Sequence, residues 1–324
     1  MPQIKKLLSL AARDIEPSPP SWAIVNFLLI KNNFPASGNL GAVVAASAEA
    51  TIFSYNRDSI EPMYFCTIGG EQRLKLCTGF NVKGLRTTDS EKAFSHIREG
   101  IDAGQGLFMA GPEIGLCYGY DDPGSVEKRQ VYGFTNWGPA FNGALSWQHF
   151  IKYVETFGEA EGFAYLEQES EPAPVNNILS MLCETVIDWQ NQHPAVQFGM
   201  KQEYYGLTAF KQFIEDVSNP DMRSQIDEAY LNCHVIQFQS AGRYWLGQYF
   251  EQLSGELTGD MRRHLQDIAK LYDKIYTDLK RFIEFDITKV KQETEIRDAV
   301  KWLETAYNSD EKILEKFMSL RNLL

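Results

Sequence analysis

Residues 104–139 read GQGLFMAGPEIGLCYGYDDPGSVEKRQVYGFTNWGP. Two apolar runs, IGLCYGY (114–120) and RQVYGFT (129–135), flank DDPGSVEK, a stretch dense in turn formers. This pattern predicts a β-hairpin, with LFMAG (107–111) as a strand just before it. Strand alternation sets Glu113, Gly115 and Cys117 on one face, and Leu116 and Tyr118 on the other.

Helices surround the hairpin. DSEKAFSHIREGIDAGQG (89–106) has Asp89 or Ser90 as its cap, an apolar face of Ala93, Phe94, Ile97 and Ile101, and Gly104 as its stop. LSWQHFIKYVETFG (145–158) is a second helix, capped near Ser146. Upstream, SWAIVNFLLIKNN (21–33) is apolar on nearly every side and predicts a buried helix with Ser21 as its cap. GNLGAVVAASAEATIFSYN (38–56) predicts a helix running into an extended piece, and PMYFCTI (62–68) a short strand. The opening MPQIKKLLSLAARDIEPSPP predicts a short amphipathic helix ended by prolines, its apolar part too short for a signal peptide. LEQESEPAPVNN (166–177) has the composition of a linker or an exposed crossing loop.

Beyond the linker the pattern is helical. In MRRHLQDIAKLYDKIYTDLKRFI, apolar residues recur at steps of three and four from Met261 to Phe282. Residues 226–253 and 295–320 behave alike, which predicts a helical bundle. The expected organisation is an N-terminal segment (1–20), an α+β domain (21–165) and a helical bundle region (166–324). The 261–282 stripe also permits a homodimer, against an intramolecular core.

Composition narrows the function. The chain has 324 residues, formal net charge −12 and 44% hydrophobic residues, enough for a sizeable core. So acidic a surface repels a phosphate backbone, and no basic patch offsets it, so no nucleic acid is expected. No apolar run reaches the ~18 residues of a membrane span, so no membrane partner is expected. Five scattered cysteines without a CxxC fit reduced thiols and a cytoplasmic setting. Without HExxH, GxGxxG or a Walker-type loop, neither metal nor cofactor is expected. The turn chemistry of DDPG accounts for Asp121 and Asp122 without a metal.

AFSHIREGIDAGQGLFMAGPEIGLCYGYDD (93–122), followed by VYGFTNWG (131–138) and LSWQHFIKYV (145–154), resembles the papain-like fold of butirosin-biosynthesis-H-like proteins and bacteriocin leader peptidases. The resemblance covers residues 20–155, and YYGLTAFKQFIEDV (204–217) with the bundle is similar to the helical region that accompanies many of them. It implies a papain-like helix-plus-antiparallel-sheet domain. Catalytic relatives carry a cysteine at the start of the first long helix and a histidine on the strand before GYDD, and work through an acyl-thioester. Here the helix starts Ser21-Trp22, and the strand offers Glu113 and Cys117 without a histidine. Asn136 matches the family's orienting residue loosely.

Cys117 is read as a small buried hydrophobe or as a nucleophile, and Ser21 as a helix cap or as a nucleophile. The expected ligand pocket comprises Trp22, Glu113, Tyr118, Tyr120, Asn136 and Trp137, with Glu113 favouring an amine. Three functions fit these residues. One is a pseudoenzyme that binds a small amine or peptide. Another is an acyltransferase or amidohydrolase using Ser21 or Cys117, with Asn136 as orienter. The third is a dimerising helical protein.

Overall fold

A computed structural model describes residues 4–8, 17, 21–33, 39–57, 61–62, 70–109, 115–135, 142–159, 162–191, 203–226, 235–285, 287 and 292–324. The chain divides into two compact units built from alternating stretches. Unit 1 takes 1–15, 21–43 and 78–172, and unit 2 takes 16–20, 44–77 and 173–324. The units interleave along the chain: residues 44–77 fall in the helical unit, and unit 1 runs on to residue 172.

Unit 1 is mixed α and β. Its strands are β1 (Ile4–Leu7), β4 (Phe80–Leu85), β5 (Leu107–Met109), β6 (Gly115–Asp122), β7 (Gln130–Thr135), β8 (Asn142–Ser146) and β9 (Phe163–Gln168). They form one antiparallel sheet in the order β4-β9-β5-β6-β7-β8, with β1 added on β6. The hairpin read from residues 114–135 is β6–β7. The opening segment differs from expectation, because residues 4–7 are a strand and not part of a helix. Ile-Lys-Lys-Leu suits a strand whose two lysines project to opposite faces.

The helices of unit 1 include α1 (Ser21–Asn33), α4 (Ser90–Asp102) and α5 (Trp147–Phe157). In α4 the Asp89 carboxylate accepts hydrogen bonds from the amides of Glu91 (3.0 Å) and Lys92 (3.1 Å). Gly104, with φ +84°, ends the helix where a side chain would be strained. Ala93, Phe94, Ile97 and Ile101 of α4 and Trp147, Phe150 and Val154 of α5 are buried with Leu107, Met109, Cys117, Tyr120, Val131 and Phe163 of the sheet. Each large apolar side chain buried there contributes about 1.5–3 kcal/mol. α1 packs on the opposite face, where a Cβ at Gly106 would meet Leu29 and Leu116. Asp89→Ala should cost about 1 kcal/mol in urea unfolding, the value of one N-cap. An unchanged midpoint would mean the cap contributes nothing.

Ser146 stands at the N-cap of α5, as expected, but makes no capping bond to the backbone; its hydroxyl lies 3.0 Å from His149 Nδ1. The hairpin turn is clamped by Arg129. Its guanidinium lies over the Phe94 and Trp147 rings at 4.8 and 5.3 Å and bonds Asp122 and Glu91.

Unit 2 is helical. It contains part of α2 (Leu40–Ala46), a 3-10 turn at Ala48–Thr51, and most of α3 (Gly70–Thr78). It continues through α6 (Val175–Gln190), α7 (Gly206–Ser218), α8 (Pro220–Arg223), α9 (Val235–Ser254), α10 (Gly259–Phe285) and α11 (Glu293–Arg321). A small antiparallel sheet joins β10 (Glu203–Tyr205), β2 (Ser54–Asn56) and β3 (Glu61–Pro62). The strand expected at 62–68 lies outside the described residues beyond Pro62.

α10 packs between α9 and α11. Its stripe of Leu265, Ile268, Tyr272, Ile275, Leu279 and Phe282 is buried within the chain. That stripe is core, so the dimer it permitted has no free face there. None of the described helices is long and apolar enough to cross a membrane.

Candidate functional site

Of the expected site, Tyr118, Tyr120 and Cys117 are described with their side chains. Glu113, Asn136 and Trp137 lie outside the described residues. Ser21 and Trp22 are the first two residues of α1, and their side chains lie outside the description.

Cys117 is wholly buried in the α4–α5 core. Its Sγ donates to the Gly119 carbonyl at 3.8 Å. Burial pushes the thiol up to about 12, against a smaller opposing effect of that carbonyl contact. A nucleophilic thiolate needs an electropositive, accessible setting. This one is apolar and closed, the setting of a small buried hydrophobe.

The pocket pair Tyr118 and Tyr120 is corrected. A bulge between Cys117 and Gly119 in β6 shifts the alternation by one residue. Cys117 and Tyr120 therefore share the α4–α5 face, where the Tyr120 hydroxyl donates to Asp102 at 2.8 Å. Tyr118 faces the other side, with its ring 6.4 Å from that of Tyr132. Tyr132 alternates with Val131, which belongs to the α4–α5 core. The two tyrosines thus cannot line one pocket.

Two further titratable groups lie near this core. Asp122 is held by Arg129 and Arg98. His96 is half-buried beside Tyr165, and burial lowers its pKa below the ordinary histidine value, against the raising effect of Glu99. Among the described residues no cluster of three or more His, Cys, Asp or Glu could hold a metal ion.

One polar surface of unit 1 was not legible in the sequence. β1 runs antiparallel to β6, pairing Ile4 with Asp122, Lys5 with Asp121, Lys6 with Tyr120 and Leu7 with Gly119. The Leu8 amide extends the ladder to the Tyr118 carbonyl at 2.8 Å. Lys6 reaches the C-terminal end of α4, where Nζ donates to the Asp102 carbonyl at 2.9 Å and lies 3.6 Å from its carboxylate. Lys5 goes the other way, with Nζ 4.7 Å from the Tyr132 ring centre. The Tyr132 hydroxyl, by hydrogen bonding, and Asp121, by its charge, help hold that ammonium above the ordinary lysine value. Two adjacent lysines are thus read by opposite faces of one sheet. Glycine in GYDD was the available signal, since a bare strand position marks close backbone approach.

Unit 2 buries charge that the sequence reading also missed. Glu49, in the 3-10 turn, pairs with Arg73 of α3. Arg73 also donates to the Ala46 carbonyl at 3.0 Å and to Thr185 Oγ1 at 3.5 Å. Arg243 of α9 and Asp310 of α11 meet at 2.6 Å with side chains 1% and 2% exposed. A lone carboxylate in the small apolar run AASAEATIF was the readable hint of the first pair.

No family model matches this chain, and a search of curated proteins finds no match.

Proposed function

We propose that unit 1 is a papain-like domain of the butirosin-biosynthesis-H-like kind, a pseudoenzyme that binds a small amine or peptide and performs no catalysis. The observation that carries this reading is Cys117, the one cysteine among the described residues of the unit, enclosed in core with its thiol at about 12. The element order supports the fold: a first helix on one face of an antiparallel sheet, and two later helices on the other. Glu113 and Trp22 are the ligand-facing residues of this reading, the carboxylate binding the amine.

Limiting iodoacetamide at neutral pH, followed by peptide mapping, tests the chemistry. Cys117 should label only after denaturation. Labelling of Cys117 in the native protein faster than a free thiol would overturn the reading. So would hydrolysis of p-nitrophenyl acetate that disappears in Ser21→Ala. For binding, putrescine and trilysine should raise the melting temperature of the wild type and not of Glu113→Gln. The absence of any shift with either probe would count against an amine site.

A further inference from the structure

The edge of β6 is shared between two strands. β5 takes residues 115–117 of that edge, and β1 takes residues 119–122. At the junction Gly119 leaves no room for a side chain: a Cβ there would come within 2.4 Å of Leu7 Cδ2 and 2.6 Å of the Lys6 carbonyl oxygen. The backbones therefore meet closely, and sequence-independent ladder bonds are supplemented by two side-chain readings. One lysine meets the carbonyl and carboxylate of Asp102, at the negative end of the α4 dipole. Its neighbour meets Tyr132 and the charge of Asp121. These are the parts of a β-augmentation site, in which main-chain bonds give affinity and alternate side chains give specificity.

We propose that residues 119–122 of β6 form a strand-accepting site for extended peptides with two adjacent lysines, and that residues 4–8 of this chain occupy it in cis. The site is separate from the Glu113 site of the functional reading, and the peptide it fits is extended and dibasic, with apolar residues on either side. The cis strand is short, and its fastenings are at the surface. Leu7 is 48% exposed, and the Lys6–Asp102 pair is 39% and 51% exposed, so solvent weakens that pair. A tethered strand competes at an effective concentration on the order of millimolar, which holds a trans peptide off without excluding it.

The test uses the full chain, with a fluorescein-labelled QIKKLLS peptide (residues 3–9) read by anisotropy. Lys5→Glu/Lys6→Glu weakens the cis strand and leaves the acceptor residues intact. It should bind the probe about tenfold or more tightly than the wild type, whose own strand competes. A QIEELLS control should not bind, and adding Asp102→Asn should weaken binding. Equal affinity in both proteins, or none in the double variant with an unchanged circular dichroism spectrum, would overturn the proposal. So would a doubled wild-type mass that becomes single in the double variant, because the strand would then be exchanged between copies. Glu113→Gln separates the two readings: it removes the amine response and leaves probe binding at β6 unchanged.

Discussion

Arg243→Met should destabilise unit 2 by about 3–5 kcal/mol, the cost of leaving a buried charge without its partner. Asp310 has no access to water at its new vacancy, being 1% exposed. Burial already pushes its carboxyl above the usual range, while Arg243 and the nearby Gln190 amide pull it back. Removing Arg243 deletes the larger of those two restraints. Asp310→Ala should cost as much from the other side, since one guanidinium nitrogen, Nη1, already finds no hydrogen-bond partner among the described residues. The double replacement Arg243→Met/Asp310→Leu should recover most of the loss, because an apolar pair of similar volume often equals or exceeds a buried ion pair by about 1–4 kcal/mol. Urea titrations followed by circular dichroism would report all three. A single-variant loss below about 1 kcal/mol, the range of exposed pairs, would mean that solvent reaches the pair.

Stability should fall as pH rises through neutrality, and Glu49 should be a main cause. Burial raises its carboxyl from 4.5 to about 7, and Arg73 offsets only part of that. The folded state therefore keeps a proton that the unfolded chain releases between those values. Folding takes up a proton in that window, so the contribution is complete below pH 4.5 and lost by the time pH has passed 7. At about 1.4 kcal/mol per unit the span is about 3 kcal/mol. Glu49→Gln should remove it, narrowing the stability difference between pH 5 and pH 8 by about that amount. Asp310 is shifted in the same direction, whereas His96, with a lowered value, adds stability as pH rises. Both cancel when the variant is subtracted from the wild type. A Glu49→Gln profile parallel to the wild type would show that the carboxyl stays ionised throughout.

What the sequence disclosed was local. The cap and stop of α4, the turn of the β6–β7 hairpin and the stripe of α10 all lie within a few residues of the groups that determine them. β4 and β9 were missed because neither alternates cleanly and each depends on a partner about eighty residues away. β1 was misread because IKKLL fits a helix face as well as a strand, and only β6 decides between them. The bulge after Cys117 defeated the alternation rule by a single residue and moved Tyr120 into the core. Buried ion pairs are hidden for a related reason: Arg243 and Asp310 are 67 residues apart, and each resembles an ordinary surface charge on its own helix.

The position of β9 has a consequence for synthesis. It fills the slot between β4 and β5, yet it emerges after every other strand of that sheet. At about 5–20 residues per second, β5 waits several seconds on the ribosome with one edge unpaired. Open strand edges are where nascent chains pair wrongly with one another. The sheet of unit 1 thus closes from the middle and late, and slowing translation ahead of residue 163 would lengthen the interval in which two copies can join in its place.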